Sequence, residues 1–205
     1  MPRQARFIEP NGFYHIISRS LNEMWILRDN ADFEYFKQLA YTAKEKFPIR
    51  LFHYVVMNTH FHMVLQASDH TTLSKHIAFL KWHYTIWMRK KYNWKGPLWR
   101  ERYKSLPIEN EDYLYACGMY IEYNPVRAGI CAAPEDYPHS SYREYRSSTS
   151  NNLLDDYEMT TELKPSIQVD YGSEITKNIF SLCSAIGSST FIKQFKNASK
   201  CLSQK

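Results

Sequence analysis

Two consecutive β-rich runs constrain the fold of this chain more than any other feature. They read IRLFHYVVMN, which starts at Ile49, and HFHMVLQA, which ends at Ala67. Because only a tight connection near Asn58-Thr59 separates them, they predict two strands that are neighbours along the chain. These strands occupy the middle of the predicted order of elements.

The flanking segments supply further strands and helices. The alternating run GFYHIISRS (12–20) predicts a strand, and Asp29 or Asn30 can cap a helix through ADFEYFKQLAYTAKEKF that ends at Pro48. A turn at 69–72 leads into a second helix, over about 73–91. PLWRERYKSLPI (97–108) predicts a strand.

A last helix is predicted over NEDYLYACGMYIEYN, with Asn110 as its N-cap and Pro125 as its boundary. The resulting order, β-α-β-β-α-β-α, predicts an α+β fold. Its βαββαβ core is an antiparallel sheet with helices on one face, of the ferredoxin-like or RRM-like kind. The final helix and a tail are added to this core.

The composition changes after about Arg146. The segment SSTSNN is typical of a linker, and the remaining residues are poor in aromatic side chains and have no surplus of basic ones. We therefore expect one domain over residues 1–146 and a C-terminal extension over 147–205. The extension has room for short helices around 175–186 and 191–200.

Several classes of protein are disfavoured. No apolar run approaches the roughly 18–20 residues that span a bilayer, and the N-terminal segment lacks the apolar core of a secretory signal. The 4 cysteines form no CxxC pair, which disfavours a zinc knuckle or a disulfide framework. We expect a cytoplasmic protein with no membrane partner.

Basic residues are concentrated between Lys75 and Lys104. This window contains nine Lys and Arg residues and one acidic residue, Glu101, although the whole chain has a net charge of only +5. Four tryptophans are interleaved with these charges, a combination that suits single-stranded nucleic acid. A solvated helix face with Trp rings in the core is the structural alternative. The tryptophans are Trp82, Trp87, Trp94 and Trp99.

His60 and His62 stand two positions apart in the second β-rich run. On a strand this spacing places both imidazoles on one face, about 6.6 Å apart along the chain. Two imidazoles so placed can bind one divalent ion. They can equally be core histidines bonded to backbone or tyrosine groups.

Tyr120 and Asn124 are the second candidate pair. On a helix, residues i and i+4 share one face, one turn apart. If that face meets the histidine strand, the Asn124 amide oxygen can complete a metal site with Tyr120 beside it. Taken alone, each of these residues is equally consistent with an ordinary helix position.

Read together, THFHMVLQ and YIEYNPVRAG resemble the single-tyrosine HUH transposases, and more narrowly the REP-associated tyrosine transposases of bacteria. The resemblance covers roughly residues 7–146. One departure is visible, because the family commonly has Met-Pro-Asn before the first histidine and this chain has Met57-Asn58-Thr59.

The resemblance implies roles for four residues. His60 and His62 match the HUH motif, Tyr120 matches the catalytic tyrosine, and Asn124 matches the residue that completes the metal site. The implied metal is Mg²⁺ or Mn²⁺. The implied reaction is cleavage and rejoining of hairpin-containing single-stranded DNA through a 5′-phosphotyrosine intermediate.

The DNA contacts and competing functions are less closely defined by the sequence. We expect Arg100, Arg102 and Lys104 to flank the site, with Arg127 close to the tyrosine helix. The protein is expected to act as a monomer or a homodimer. Two other readings remain: a noncatalytic RRM-like nucleic-acid-binding module, and a metal-dependent phosphodiesterase that uses water.

Overall fold

Capping side chains fix where the three long helices begin. The Asp29 carboxylate accepts a bond from the Asp32 N–H, and the Asp69 carboxylate accepts from the N–H groups of Thr71 and Thr72. The Asn110 amide oxygen accepts from the Tyr113 N–H. These bonds satisfy N–H groups that the first turn of a helix leaves without a partner.

The structure is a computed structural model that describes residues 9–146, 153–156, 180 and 184–194. Its strands are β1 (Gly12–Arg19), β2 (Ile49–Met57), β3 (His60–Ala67) and β4 (Lys104–Ile108). Its helices are α1 (Asn30–Lys46), α2 (His70–Tyr92), α3 (Glu111–Glu122), α4 (Asn124–Arg127) and α5 (Ser141–Arg146).

The four strands form one antiparallel sheet in the order β2-β3-β1-β4. The hairpin of β2 and β3 is present, and β1 pairs with both β3 and β4. Along the chain the order is β-α-β-β-α-β, followed by α3. The predicted α+β fold with an antiparallel sheet is therefore confirmed.

One face of the sheet packs against α1 and α2. Phe61 on β3 lies in this core, with its ring centroid 5.1 Å from that of Phe36 on α1. Phe36 in turn lies 5.3 Å from Tyr84 on α2. All three side chains are buried, so this face is an apolar core of the usual kind.

The other face packs against α3. Because side chains alternate along a strand, Ile17 of β1, Val55 of β2 and Val64 of β3 point away from α1 and α2 and pack with α3. A β-bulge between Leu51 and His53 interrupts the alternation in β2. The histidines of β3 belong to this face, since Phe61, between them, points to the other.

Two predicted elements differ from the structure. The strand predicted over 97–108 is confined to β4, and the residue before it, Tyr103, is buried with its hydroxyl 3.0 Å from the Ser74 hydroxyl on α2. Trp99 makes only an isolated bridge to Ser20 and donates its indole N–H to the Thr85 hydroxyl. Packing of these two rings against α2 draws the segment off the sheet.

The final predicted helix is also divided. It ends at Glu122, and Tyr123 has φ −80° and ψ 0° before the short helix α4 begins at Asn124. Pro125 lies inside α4, where its missing N–H costs no hydrogen bond because the first turn has no acceptor for it. The sequence predicted that Pro125 bounds the helix. In the structure the helical segment instead continues past Pro125 as α4.

Described residues beyond 146 contact the sheet. The Asp155 N–H donates to the Leu51 carbonyl oxygen, and Ile186 bridges Ile108 at the end of β4. The helices predicted around 175–186 and 191–200 lie mostly outside the described residues, and the division of the chain at residue 146 stays a prediction. None of the helices in the described part of the chain combines the length and apolar character needed to cross a bilayer.

Candidate active site

The two histidines of β3 lie side by side on the sheet face that α3 covers. Their ring centroids are 5.1 Å apart and their ring planes are nearly perpendicular. In the register of the sheet, His60 is opposite Arg19 of β1, and His62 is opposite Ile17. His62 is buried and His60 is half-buried, so the pair spans the edge of the core.

Each histidine uses the same ring nitrogen to contact the protein. His62 Nδ1 is 2.8 Å from Nε2 of His15 on β1, and His60 Nδ1 is 2.8 Å from the Thr59 hydroxyl. Among the described residues, neither Nε2 atom has a hydrogen-bond partner. This arrangement, in which a second contact orients the ring, is the one that metal-binding histidines usually show.

Burial, with nearby positive charge, keeps these imidazoles neutral. Burial, followed by the positive charge of Arg19, lowers the pKa of His60 from 6.5 to about 4. Burial, His15, His60 and the guanidiniums of Arg19 and Arg127 hold the pKa of His62 well below 6.5. A neutral imidazole is the form that can bind a metal, and the two guanidiniums favour an anionic ligand nearby.

Tyr120 lies on α3 and belongs to the same buried cluster as Ile17 and Val55, which flank His62 in the sheet. Its ring is held between two groups. The Phe180 ring centroid is 4.9 Å away, and the guanidinium carbon of Arg127 is 3.9 Å from the ring centroid. The side chain is only 3% exposed.

Arg127 links the tyrosine to the histidines. Its Nη1 donates to the Tyr120 carbonyl oxygen over 2.8 Å, which holds the guanidinium over the ring. Burial lowers the pKa of Arg127, and the tyrosine opposes that shift. Since the same guanidinium also depresses the pKa of His62, the tyrosine and the histidine share one electrostatic neighbourhood.

Asn124 is the first residue of α4 and is half-buried. Its backbone carbonyl oxygen accepts from the Ala128 N–H over 3.0 Å. Within the described part of the chain, no hydrogen bond joins its amide to His60 or His62. The i and i+4 spacing predicts Tyr120 and Asn124 on one helix. In the structure α3 and α4 meet at Tyr123, so Asn124 lies on a separate helix.

The donor set fits a divalent ion in part. Two neutral imidazoles with unengaged Nε2 atoms lie on one face of a strand, and two such donors are a usual part of a transition-metal site. No group of three or more His, Cys, Asp or Glu side chains among residues 9–146, 153–156, 180 and 184–194 is arranged to hold a metal. Within the described part of the chain, further ligands would have to be amide, water or substrate oxygens.

The predicted DNA contacts fall into two places. Arg127 lies in the site itself, whereas Arg100, Arg102 and Lys104 are exposed on or beside the β4 edge of the sheet. The Arg100 N–H donates to the Arg19 carbonyl oxygen over 3.1 Å, and Lys104 is opposite Ile17 in β1. Arg102 borders a separate groove against α2.

Sequence reasoning missed His15, Arg19 and Phe180. His15 occupies an α3-facing position of β1, and burial lowers its pKa to about 3. A histidine in the alternating run GFYHIISRS was the available signal, but the register that places it beside His62 is a property of the folded sheet. No pattern in the sequence pointed to Phe180.

Comparison with known proteins identifies a family for this chain. A sequence profile of the family described as IS200-like transposases matches residues 10–124, which is more than half of the chain. No curated protein sequence matches the chain significantly.

Comparison with solved structures finds two transposases, the first of which shares the fold of this chain. One is a REP-associated tyrosine transposase bound to a REP hairpin, with a TM-score of 0.61 and 16% identity over 82% of this chain and 99% of that one. The other, from Deinococcus radiodurans and provisionally named a transposase, gives a TM-score of 0.41 and 20% identity over 60% of this chain and 96% of that one.

The profile match covers β1 through α3, and so includes His60, His62 and Tyr120; it ends at Asn124. The predicted resemblance to a transposase family is thereby confirmed. This chain belongs to the IS200-like transposase family.

Proposed function

We propose that this protein cleaves and rejoins single-stranded DNA, with Tyr120 as the nucleophile. The observation that carries the proposal is the placement of His60, His62, Tyr120 and Arg127 on one face of the sheet. Two neutral imidazoles lie on the sheet face that α3 covers, and α3 carries a tyrosine whose ring is covered by a guanidinium. A protein that only binds nucleic acid needs none of these arrangements.

The proposed reaction is a transesterification. The Tyr120 phenolic oxygen gives up its proton and bonds to the phosphorus of the scissile phosphodiester, while the bond from phosphorus to the 3′-oxygen breaks. That oxygen takes a proton, which leaves a free 3′-hydroxyl and a 5′-phosphotyrosine. Attack by the 3′-hydroxyl of a second DNA end on the phosphotyrosine reverses the step and releases Tyr120.

His60 and His62 would hold a divalent ion, Mg²⁺ or Mn²⁺, together with the amide oxygen of Asn124. When bound, such an ion supplies Lewis-acid stabilisation and alignment of the scissile phosphate. His15 and Thr59 orient the two imidazoles through their Nδ1 atoms. Arg127 adds a fixed positive charge next to the tyrosine, where the phosphate must approach.

The proposed substrate is a single strand that carries a hairpin. A transposase of similar fold has been solved with a REP hairpin, and the basic window of this chain suits a polyanion. We therefore extend the proposal to the REP-associated group of tyrosine transposases. We place the protein in the cytoplasm, as a monomer or a homodimer.

The test is covalent capture of the DNA. The purified protein is incubated with Mn²⁺ and end-labelled single-stranded DNA that contains a hairpin, and the products are separated on a denaturing gel. We expect a protein-linked band that is lost in Tyr120→Phe. Tyr113→Phe, on the same helix, is the matched control and should keep the band.

Other outcomes would identify the competing functions. Cleavage without any protein-linked band would mean that water is the nucleophile, as in a metal-dependent phosphodiesterase. Binding without cleavage under any metal would indicate a nucleic-acid-binding module. A protein-linked band that persists in Tyr120→Phe would contradict the assignment of the nucleophile.

A further inference from the structure

A groove of about 390 Å³ lies between α2 and the segment that precedes β4. Its floor contains the buried side chains of Ile77 and Tyr103, and the half-buried ring of Trp99 forms one wall. Trp82 and Arg102 border it on the solvent side, where both are exposed. The groove lies outside the histidine and tyrosine cluster of the candidate active site.

Trp82 has no structural reason to be a tryptophan. It is 63% exposed, whereas the residues of α2 that face the sheet, such as Leu80 and Tyr84, are fully buried. Trp99 provides a contrast within the same groove. Its indole N–H donates to the Lys81 carbonyl and the Thr85 hydroxyl, and its ring packs 5.9 Å from Phe61. Single exposed hydrophobic residues are common, so what distinguishes Trp82 is its position at the rim of an apolar groove.

The charge around the groove selects the class of ligand. Lys81 and Arg102 line it, and Lys75 and Arg100 are exposed nearby, with Glu101 as the acidic residue in this part of the chain. An apolar floor with a basic rim suits a planar base whose neighbouring phosphates need neutralisation. It does not suit an acidic peptide without aromatic side chains, for which Trp82 would supply nothing.

The groove lies on the α2 side of the sheet and the histidine pair on the α3 side, but both lie close to the β4 edge. His60 is paired with Arg19 across β3 and β1, and the Arg19 carbonyl oxygen accepts from the Arg100 N–H over 3.1 Å. The next bridge joins Ser20 to Trp99, which forms the groove wall. Two strand spacings, about 10 Å, separate the backbone of His60 from that of Arg100 within the sheet, so a DNA strand that reaches both sites passes round the β4 edge. That is the reach of a few nucleotides.

We propose that this groove binds an unpaired base of the DNA strand close to the scissile phosphate. The base stacks on Trp82, and Lys81 and Arg102 bind the phosphates on either side of it. The proposal rests on the proposed function, because it assumes that the same strand reaches Tyr120. It gives the basic window a defined contact: one stacked base between α2 and the segment before β4.

The test compares two exposed tryptophans. Trp82→Ala and Trp25→Ala are matched, since Trp25 is 65% exposed and does not line the groove. Binding of hairpin-containing single-stranded DNA is measured by fluorescence anisotropy. We expect Trp82→Ala to weaken binding roughly 5- to 100-fold, the usual loss of one base–aromatic stack, and Trp82→Phe to recover most of it. Trp25→Ala should bind like the natural chain.

A scan with abasic sites identifies the contacted nucleotide. Removing one base at a time should weaken binding to the natural chain at one or two positions near the cleavage site. In Trp82→Ala the same abasic sites should have no further effect. Equal losses in Trp82→Ala and Trp25→Ala, or an abasic profile unchanged by Trp82→Ala, would overturn the proposal.

The failure of this inference can be distinguished from failure of the proposed function. A Tyr120-dependent covalent band with no effect of Trp82→Ala would remove the groove and keep the transposase chemistry. A Trp82-dependent abasic profile without any covalent band would keep the groove as a binding site and remove the chemistry. A chain that does not bind single-stranded DNA at all would overturn both.

Discussion

The two faces of the sheet divide stability and chemistry between them. The face against α1 and α2 is built from rings and aliphatic side chains, as in the contacts among Phe36, Phe61 and Tyr84. The strand residues that face α3 include imidazoles in addition to apolar side chains: His15, His53, His60 and His62. Alternation along each strand separates the two sets residue by residue.

The histidines on the α3 face do not form one group. His62 contacts another imidazole, His15, at 2.8 Å, and its neighbours are neutral or cationic. His53 instead contacts the buried carboxylate of Glu122 at 2.9 Å, and that carboxylate also accepts a bond from the Ser141 hydroxyl. The first pair leaves a donor atom for a ligand, whereas the second is a closed polar network.

The largest expected effect comes from the first pair. His62→Ala should reduce Mn²⁺-dependent DNA cleavage by about a thousandfold or more, because Lewis-acid stabilisation is worth several kcal/mol and each 1.4 kcal/mol is about tenfold in rate. The measurement is the initial rate of covalent-adduct formation at saturating metal. His53→Gln is the matched control on the same face. Cleavage by His62→Ala within tenfold of the natural rate would break the distinction between the pairs.

Substitutions on the face against α1 and α2 should change the stability of the protein but not its cleavage activity. Phe36→Ala removes a fully buried ring from α1, and such truncations lower the free energy of unfolding by about 3–5 kcal/mol. Urea unfolding followed by circular dichroism measures the loss. The fraction that remains folded should form the covalent adduct at the natural rate. A folded Phe36→Ala protein with impaired chemistry would show that the faces are coupled.

The His53–Glu122 pair lies on the same sheet face as the candidate active site, but we expect it to contribute to stability rather than to catalysis. Glu122→Ala leaves the His53 imidazole and the Ser141 hydroxyl without their shared acceptor, and should cost about 3 kcal/mol in the free energy of unfolding. Glu122→Gln should cost less, because its amide oxygen can still accept both bonds. Thermal unfolding separates the two variants. If Glu122→Ala instead abolished cleavage with its stability intact, this pair would belong to the chemistry.

The sequence predicted the sheet and one half of the candidate site. The hairpin signal and the His60–His62 spacing are local, since both depend only on the alternation of strand residues. The contact of His15 with His62 joins residues that are 47 positions apart, and the pairing of β1 with β3 creates it. Sequence alternation identified an imidazole in GFYHIISRS but could not give its partner.

One error of the sequence analysis has a clear physical cause. The run 97–108, with Arg100 and Arg102, is predicted as one strand. In the structure two aromatic residues of this run pack against α2: Trp99 bonds to Thr85, and Tyr103 bonds to Ser74. Tertiary packing of two rings thus outweighed strand propensity, and only the residues after Tyr103 remain in the sheet.

The smallest expected effect concerns His76 on α2, a buried histidine on the side of the sheet that packs against α1 and α2. Its Nδ1 lies 3.1 Å from the Phe47 carbonyl oxygen, to which the neutral ring donates. Burial lowers its pKa from 6.5 to about 4, although the carbonyl bonds oppose the shift. Between these two values the unfolded chain binds the proton and the folded chain does not. The stability linked to His76 is therefore complete above pH 6.5 and is lost as the pH falls toward 4.

This linkage predicts a slope of up to about 1.4 kcal/mol per pH unit from His76 alone. His76→Gln keeps an N–H donor for the Phe47 carbonyl oxygen but does not titrate, so its free energy of unfolding should fall less steeply between pH 6.5 and 4. Urea unfolding at several pH values measures both slopes. His70→Gln, at the exposed start of the same helix, should retain the natural slope. If His76→Gln gave the natural slope as well, the acid sensitivity would come from other buried histidines, such as His139, whose pKa burial also lowers to about 4.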